Sequence, residues 1–127
     1  MQQAIPGNPT IVAVASPPGR SPRGLLRVSG PETHRVLASL LTQVPASLRS
    51  LLPVRLSSPA LPALLVRFTA PFSYTGEDAA ELQVPGNAAL LDHLLHRAAQ
   101  AGDHTRLAEP GEFTNKVNGG VSAADDH

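Results

Sequence analysis

Three prolines and a glycine fall within Ser16–Pro22 (SPPGRSP), and no regular element can run through them. The chain must therefore build separate elements on either side. Thr10–Ala15 (TIVAVA) is short, apolar and rich in β-branched residues, the pattern of a buried strand. Gly24–Ser29 (GLLRVS) reads as a second strand, with Leu26 and Val28 facing one way and Leu25, Arg27 and Ser29 the other. The two strands form a long-looped hairpin with Arg20 and Arg23 in its loop.

The rest of the chain is punctuated in the same way. Gly30-Pro31 opens a helix, with Pro at a favoured first position and Glu32 at the positive end of the dipole. Val36, Leu37, Leu40, Leu41 and Val44 make its apolar stripe, and Pro45 ends it. Residues 45–62, rich in Pro, Ser and Leu, read as a connector with one helical turn at Leu48–Leu52. Ala63–Thr69 is a third strand, with Leu64, Val66 and Phe68 on one face, and Pro71–Asp78 is a loop. Ala79–Val84 is a fourth strand, with Ala80, Leu82 and Val84 inward and Glu81 and Gln83 outward. Asn87 is placed to cap a second helix, with Leu90, Leu91, Leu94, Leu95 and Ala98 on its apolar side and Gly102 as its C-cap. Thr105–Ala108 is a fifth strand, Glu109–Thr114 a turn, and Asn118–His127 a polar tail. The order ββαββαβ predicts one α+β domain over residues 1–127, with both helices on one face of a mostly antiparallel sheet.

Composition narrows the function classes. Lys+Arg and Asp+Glu are 10 each, so the formal net charge is zero, unlike a strongly basic nucleic-acid module. There is no cysteine, hence no disulfide, thiolate zinc site or cysteine nucleophile in this sequence. No apolar run approaches the ~20 residues that span a bilayer. Met1–Asn8 lacks the charged-then-apolar order of a signal peptide, so a cytoplasmic protein without membrane contact is expected. No GxxxxGK[ST], GxGxxG, GxSxG or HExxH occurs. His93 and His96 sit three apart on the second helix without an acidic partner motif, and metal binding is not expected.

Polar and Pro/Gly-rich residues gather at Pro17–Arg20 with Arg23 and Arg27, at Ser73–Asp78 with Glu81, and at Arg106–Thr114. Each cluster borders a strand end, where binding groups sit on a rigid scaffold. The stretches TIVAVASPPGR, GLLRVSGPE, APFSYTGEDAAELQVPGN and RLAEPGEFTNKVNGG follow one another over nearly the whole chain. Together they resemble the N-terminal domain family of the tRNA-modification GTPases called MnmE or TrmE, SYTGED and PGEFT being the most specific blocks. The resemblance implies a fold related to half of the folate-binding domain of glycine-cleavage T-proteins. It also implies a site for a one-carbon tetrahydrofolate (5-formyl or methylene) and a homodimer in which a second copy supplies the other half. In such proteins further domains add a GTPase and a C-terminal cysteine motif, and a flavoprotein partner takes part in building an aminomethyl-type group on the wobble uridine. With neither P-loop nor cysteine, this chain would be a fragment or a free-standing homologue, relying on a GTPase elsewhere and touching tRNA only indirectly.

A pterin edge presents N–H donors and calls for a carboxylate, while the glutamate tail of a folate calls for Arg. On that footing Glu77 and Glu81, with Asp78 nearby, are pterin candidates, and Arg20 and Arg27 are tail candidates. Tyr74 either stacks on a flat ring or caps the core. Pro110-Gly111 sets a turn that presents Glu112 to the ligand or serves only fold and dimer. Each charged candidate has an alternative as a surface residue or ion pair. Two departures favour a degenerate pairing module without folate: Pro85-Gly86-Asn87 stands where the family has His-Gly-Gly, and the LNGK stretch is shortened at Lys116–Ser122. The retained PPGR, SYTGED and PGEFT favour folate binding, and Ser21-Pro22-Arg23-Gly24 alters the first loop.

Overall fold

The structure, a computed structural model, describes residues 8–15, 23–46, 51–68 and 77–113. Its elements are β1 (Thr10–Val14), β2 (Arg23–Ser29), α1 (Thr33–Leu40), β3 (Leu52–Arg55), β4 (Pro62–Phe68), β5 (Ala79–Pro85), α2 (Ala88–Ala99) and β6 (Thr105–Leu107). One six-stranded sheet runs β3-β4-β5-β2-β1-β6. All neighbours are antiparallel except β1 and β6, which are parallel. The α+β class and the mostly antiparallel sheet agree with the sequence.

Period two divides the residues between the faces of the sheet. Leu26 of β2 stands opposite Leu82 of β5, which stands opposite Leu65 of β4. All three are at most 1% exposed. This row packs in one cluster with Val36, Leu37 and Leu40 of α1 and Leu94 and Ala98 of α2, so both helices cover the same face. Fully burying a Leu is worth about 1.5–3 kcal/mol, which makes this row the main apolar stabiliser of the central strands.

Among the described residues there is one more strand than the sequence suggested. β3 occupies the end of the expected connector, and Leu52 belongs to it rather than to a helical turn; residues 47–50 lie outside the described residues. Val54 and Leu56 pack on the core while Pro53 and Arg55 face out. Pro53 is tolerated because β3 is an edge strand. That strand also shortens α1. Leu41 leaves the helix with φ −112 and ψ 152 and bridges Leu56. Thr42 N–H donates to Arg55 O at 3.0 Å, and Ser57 N–H to Leu40 O at 2.9 Å. Val44 still packs on the core, but as part of this crossover rather than of a helical stripe.

Asn87 caps α2 as expected, its side chain accepting from Leu90 N–H at 2.9 Å. Gly102 is not the helix cap; that place belongs to Gln100. Gly102 is required by close approach instead, since a Cβ there would lie 2.3 Å from Glu32 Oε1. Glu32 is the N-cap of α1 without a side-chain capping hydrogen bond, and its Oε2 stands 3.8 Å from Arg35 Nη1 in the first turn. Its carboxylate accepts from His104 N–H at 2.9 Å and Thr105 Oγ1–H at 2.6 Å, while its N–H donates to Thr10 Oγ1 at 2.7 Å. Gly30 makes this entry possible, with φ +141 and a Cβ position 2.5 Å from Thr10 Cα.

Burial pushes the Glu32 carboxyl up. The hydrogen bonds from Thr105 and His104, with the charges of Arg35 and His104, outweigh that and hold it below its ordinary value. A carboxyl held low in the folded state contributes stability above the unfolded value near about 4.3, and loses that contribution as pH falls through the folded value. Wild type and Glu32→Gln should therefore differ in urea midpoint at neutral pH and converge in acid; parallel curves would contradict this. Gly30→Ala should lower stability by about 2–4 kcal/mol in the same assay, through backbone strain and the clash with Thr10.

Candidate functional site

The face of the sheet turned away from the helices carries the candidate residues. Because Leu26 and Val28 enter the core, Arg27 and Ser29 must face the other way, as must Glu81 between Ala80 and Leu82. Register then sets Arg27 directly opposite Glu81. Arg27 Nε–H donates to Glu81 Oε2 at 2.8 Å, with side-chain exposures of 38% and 24%. Among the described residues no other hydrogen bond of either side chain is found, so the Arg27 Nη groups and Glu81 Oε1 keep capacity for a ligand.

The pair lies in the row Ala13–Arg27–Glu81–Val66. On one side is the row Ile11–Ser29–Ala79–Phe68, and on the other Leu25–Gln83–Leu64–Pro53. Val66, Leu64 and Phe68 are half-buried, so apolar surface flanks the charges. Glu77 joins the stripe, accepting from Ser29 Oγ–H at 3.2 Å. Arg23 begins β2 and donates through Nη1 to Gln83 Oε1 at 2.9 Å. Next to this contact a cleft of about 370 Å³ opens at the sheet's end, lined among others by Arg23, Gln83, Leu64, Pro53, Pro62 and Pro85.

Glu112 stands apart from that pair. Arg106 shares a row with Ile11, which places it on the same face but on the edge strand, two strands from β2 and so about 10 Å away. Its Nη1 and Nη2 grip Glu112 Oε1 and Oε2 at 2.8 and 2.6 Å. Glu109 N–H donates to the same Oε1 at 2.8 Å, closing the turn around Pro110-Gly111. The hydrogen bond to Glu112 raises Arg106 above its ordinary value, with burial opposing and the charges of Glu112 and Glu109 adding to it. Glu112 is thus committed to the turn.

Arg20 and Tyr74 lie outside the described residues. Arg27, Glu77 and Glu81 share one stripe. Sequence reasoning missed Ser29, Gln83 and Arg106 as partners. Alternation in β2 already put Ser29 beside Arg27, whereas the Arg106–Glu112 grip had no signal short of the turn geometry. The altered Val84-Pro85-Gly86-Asn87 stretch ends β5 and caps α2. Among the described residues, no group of three or more His, Asp or Glu is arranged to hold a metal ion. Nor is any helix there long and apolar enough to cross a membrane.

Residues 10–118 match the family of GTP-binding protein TrmE N-termini. The chain is 42% identical over 115 residues to the mitochondrial tRNA modification GTPase mss1 of Schizosaccharomyces pombe, a match covering 86% of this chain and 23% of that protein. It is 42% identical over 110 residues to the tRNA modification GTPase MnmE of Caulobacter vibrioides, covering 85% and 24%. With MnmE of Thiobacillus denitrificans it shares 36% over 132 residues, 98% of this chain and 29% of the relative. The chain spans about a quarter of the length of these relatives. By extent and identity of match, it belongs to the TrmE N-terminal family.

Proposed function

We propose that this chain binds a one-carbon tetrahydrofolate and pairs with a second copy, in the service of tRNA wobble-uridine modification. The observation that carries the reading is the half-used, partly exposed Arg27–Glu81 pair on the sheet face turned away from the helices, in a member of this family. A pterin edge offers adjacent N–H donors, and Glu81 Oε1 offers an acceptor without a protein partner among the described residues. Arg27 Nη groups, and Arg23 at the adjoining cleft, suit the carboxylates of a folate tail. A second copy laid on this face would cover Leu64, Val66 and Phe68. The modification role itself comes from the names of the relatives. The GTPase and the flavoprotein would be other domains or chains, and with zero net charge this chain meets tRNA through them.

One observation favours the second reading, a pairing module without folate. Glu112 is taken up by Arg106, and Pro85–Asn87 serves strand end and helix cap, so two blocks expected at the ligand do structural work.

Calorimetric titration with 5-formyltetrahydrofolate, alongside sedimentation, separates the two. We expect saturable micromolar binding by a dimer, weakened ten- to hundredfold in Glu81→Gln with the dimer intact; losing a hydrogen bond to a charged group costs about 1.5–3 kcal/mol. Absence of heat from a folded, dimeric sample would leave the pairing module. Glu112→Gln should change folate affinity by less than about threefold, because it breaks an ion pair worth about 1 kcal/mol or less. It should instead speed amide exchange at Glu109, and a large loss of affinity would return Glu112 to the ligand.

A further inference from the structure

At the end of the sheet where β2 begins, the face turned away from the helices carries a row without acidic side chains. Arg23 stands opposite Pro85, and Arg55 opposite Pro62. The register that sets Leu64 opposite Gln83 brings Pro62 beside Pro85, so the row runs Arg23–Pro85–Pro62–Arg55. Val84, Ala63 and Val54 pack on the core, and alternation turns their neighbours in this row the other way. The cleft of about 370 Å³ lies here, lined among others by Pro53, Pro62, Pro85, Leu64, Arg23 and Gln83. Most of that lining is apolar and poor in donors, with three proline rings that have no N–H and half-buried Leu64.

Polar groups stand on either side of this strip. Arg23 Nη1 donates to Gln83 Oε1 at 2.9 Å. That contact sets the Gln83 amide with its oxygen on Arg23 and leaves its NH2 without a partner among the described residues. Arg55 is exposed, and its guanidinium has no partner among the described residues. Its backbone is fixed, since Thr42 N–H donates to Arg55 O at 3.0 Å. With neighbouring strands about 4.8 Å apart, the two Arg backbones at the ends of the row are about 14 Å apart.

An apolar strip between two cations fits a chain in which methylenes alternate with carboxylates. We propose that this cleft receives the γ-linked polyglutamate tail of the folate, Arg55 reading the glutamates beyond the first. This tail site presupposes the folate binding proposed for Arg27 and Glu81. Arg23 lies four residues along β2 from Arg27, about 13 Å, so a pterin held at Glu81 delivers its first glutamate to the cleft. Each γ-glutamyl unit is five chain bonds long, about 6 Å when extended. Two further units carry the chain across Pro85 and Pro62 to within reach of Arg55, their methylenes on the proline rings and an α-carboxylate at the guanidinium. An extended α-linked acidic peptide fits less well, because its side chains alternate and every second carboxylate would leave the row.

Affinities of the 127-residue chain for 5-formyltetrahydrofolate with one and with three γ-linked glutamates test this. The triglutamate should bind at least tenfold tighter, and the advantage should shrink as salt is raised. Arg55→Ala should reduce it to less than about threefold, and Arg55→Lys should restore part of it. An advantage below threefold in wild type, or one that Arg55→Ala leaves intact, overturns the proposal while the folate site stands. If neither folate binds, the folate reading fails, and p-aminobenzoyl-tri-γ-glutamate then decides the cleft by itself. Saturable shifts of the Gln83 side-chain NH2 and Leu64 amide signals, weakened at least threefold in Arg55→Ala, uphold a γ-glutamyl site. Absence of those shifts, or equal binding of the α-linked isomer, overturns it.

Discussion

The Glu32 carboxylate joins three parts of the chain, alongside the backbone bonds from Thr10 N–H to His104 O and from Ala108 N–H to Val12 O. Its main chain opens α1 against Thr10 of β1, and its side chain receives the turn between α2 and β6. β6 is three residues long and pairs parallel to a single neighbour, too little ladder to fix an edge strand alone. Two glycines give way to this contact: Gly30 bends into a conformation other residues rarely adopt, and Gly102 lets the carboxylate approach. Once β6 is held beside β1, Arg106 lies on the face away from the helices and grips Glu112 just after the Pro110-Gly111 turn. The position of the PGEF block is therefore a consequence of a carboxylate on the other side of the sheet.

The sheet itself separates two kinds of chemistry. One face spends every inward position of β2 and β5 on apolar contact with the helices, Arg67 on β4 being the exception. The other face keeps its polar side chains in cross-strand contacts, Arg23 with Gln83 and Arg27 with Glu81. Cross-strand pairs of this kind contribute only about 0.2–1 kcal/mol each. Those contacts are therefore cheaper to rearrange than the apolar packing of the helical face.

Much of this was legible where neighbouring residues suffice. Alternation placed Leu26, Val28, Leu82 and Val84 inward and Arg27 and Glu81 outward, and Asn87 announced α2. Long-range competition hid the rest. β3 was masked by Pro53, a warning that applies to inner strands but not to this edge. Leu41 continues the α1 stripe in sequence, yet Leu56 claims it across the crossover. Gly102 looked like a helix cap because nothing local reveals Glu32, seventy-two residues from His104 in sequence. Arg27 and Glu81 could be assigned to a face but not to each other, since their contact spans 54 residues and rests on register.

The altered residues around Pro85 bear on how fold and ligand are coupled. The strand stops at Pro85, Asn87 N–H bonds back to Pro85 O, and the Asn87 side chain starts α2. Pro-Gly-Asn meets these needs through the Asn87 side chain, an acceptor that the His-Gly-Gly suggested by the resemblance lacks at that place, so this departure serves the scaffold. The same holds for Glu112, which Arg106 and Glu109 satisfy without any ligand. Family membership is therefore carried by residues that build the scaffold. The proposed ligand would rest on groups whose valences the scaffold leaves open, and among the described residues Glu81 Oε1 and the Arg27 Nη groups are such groups.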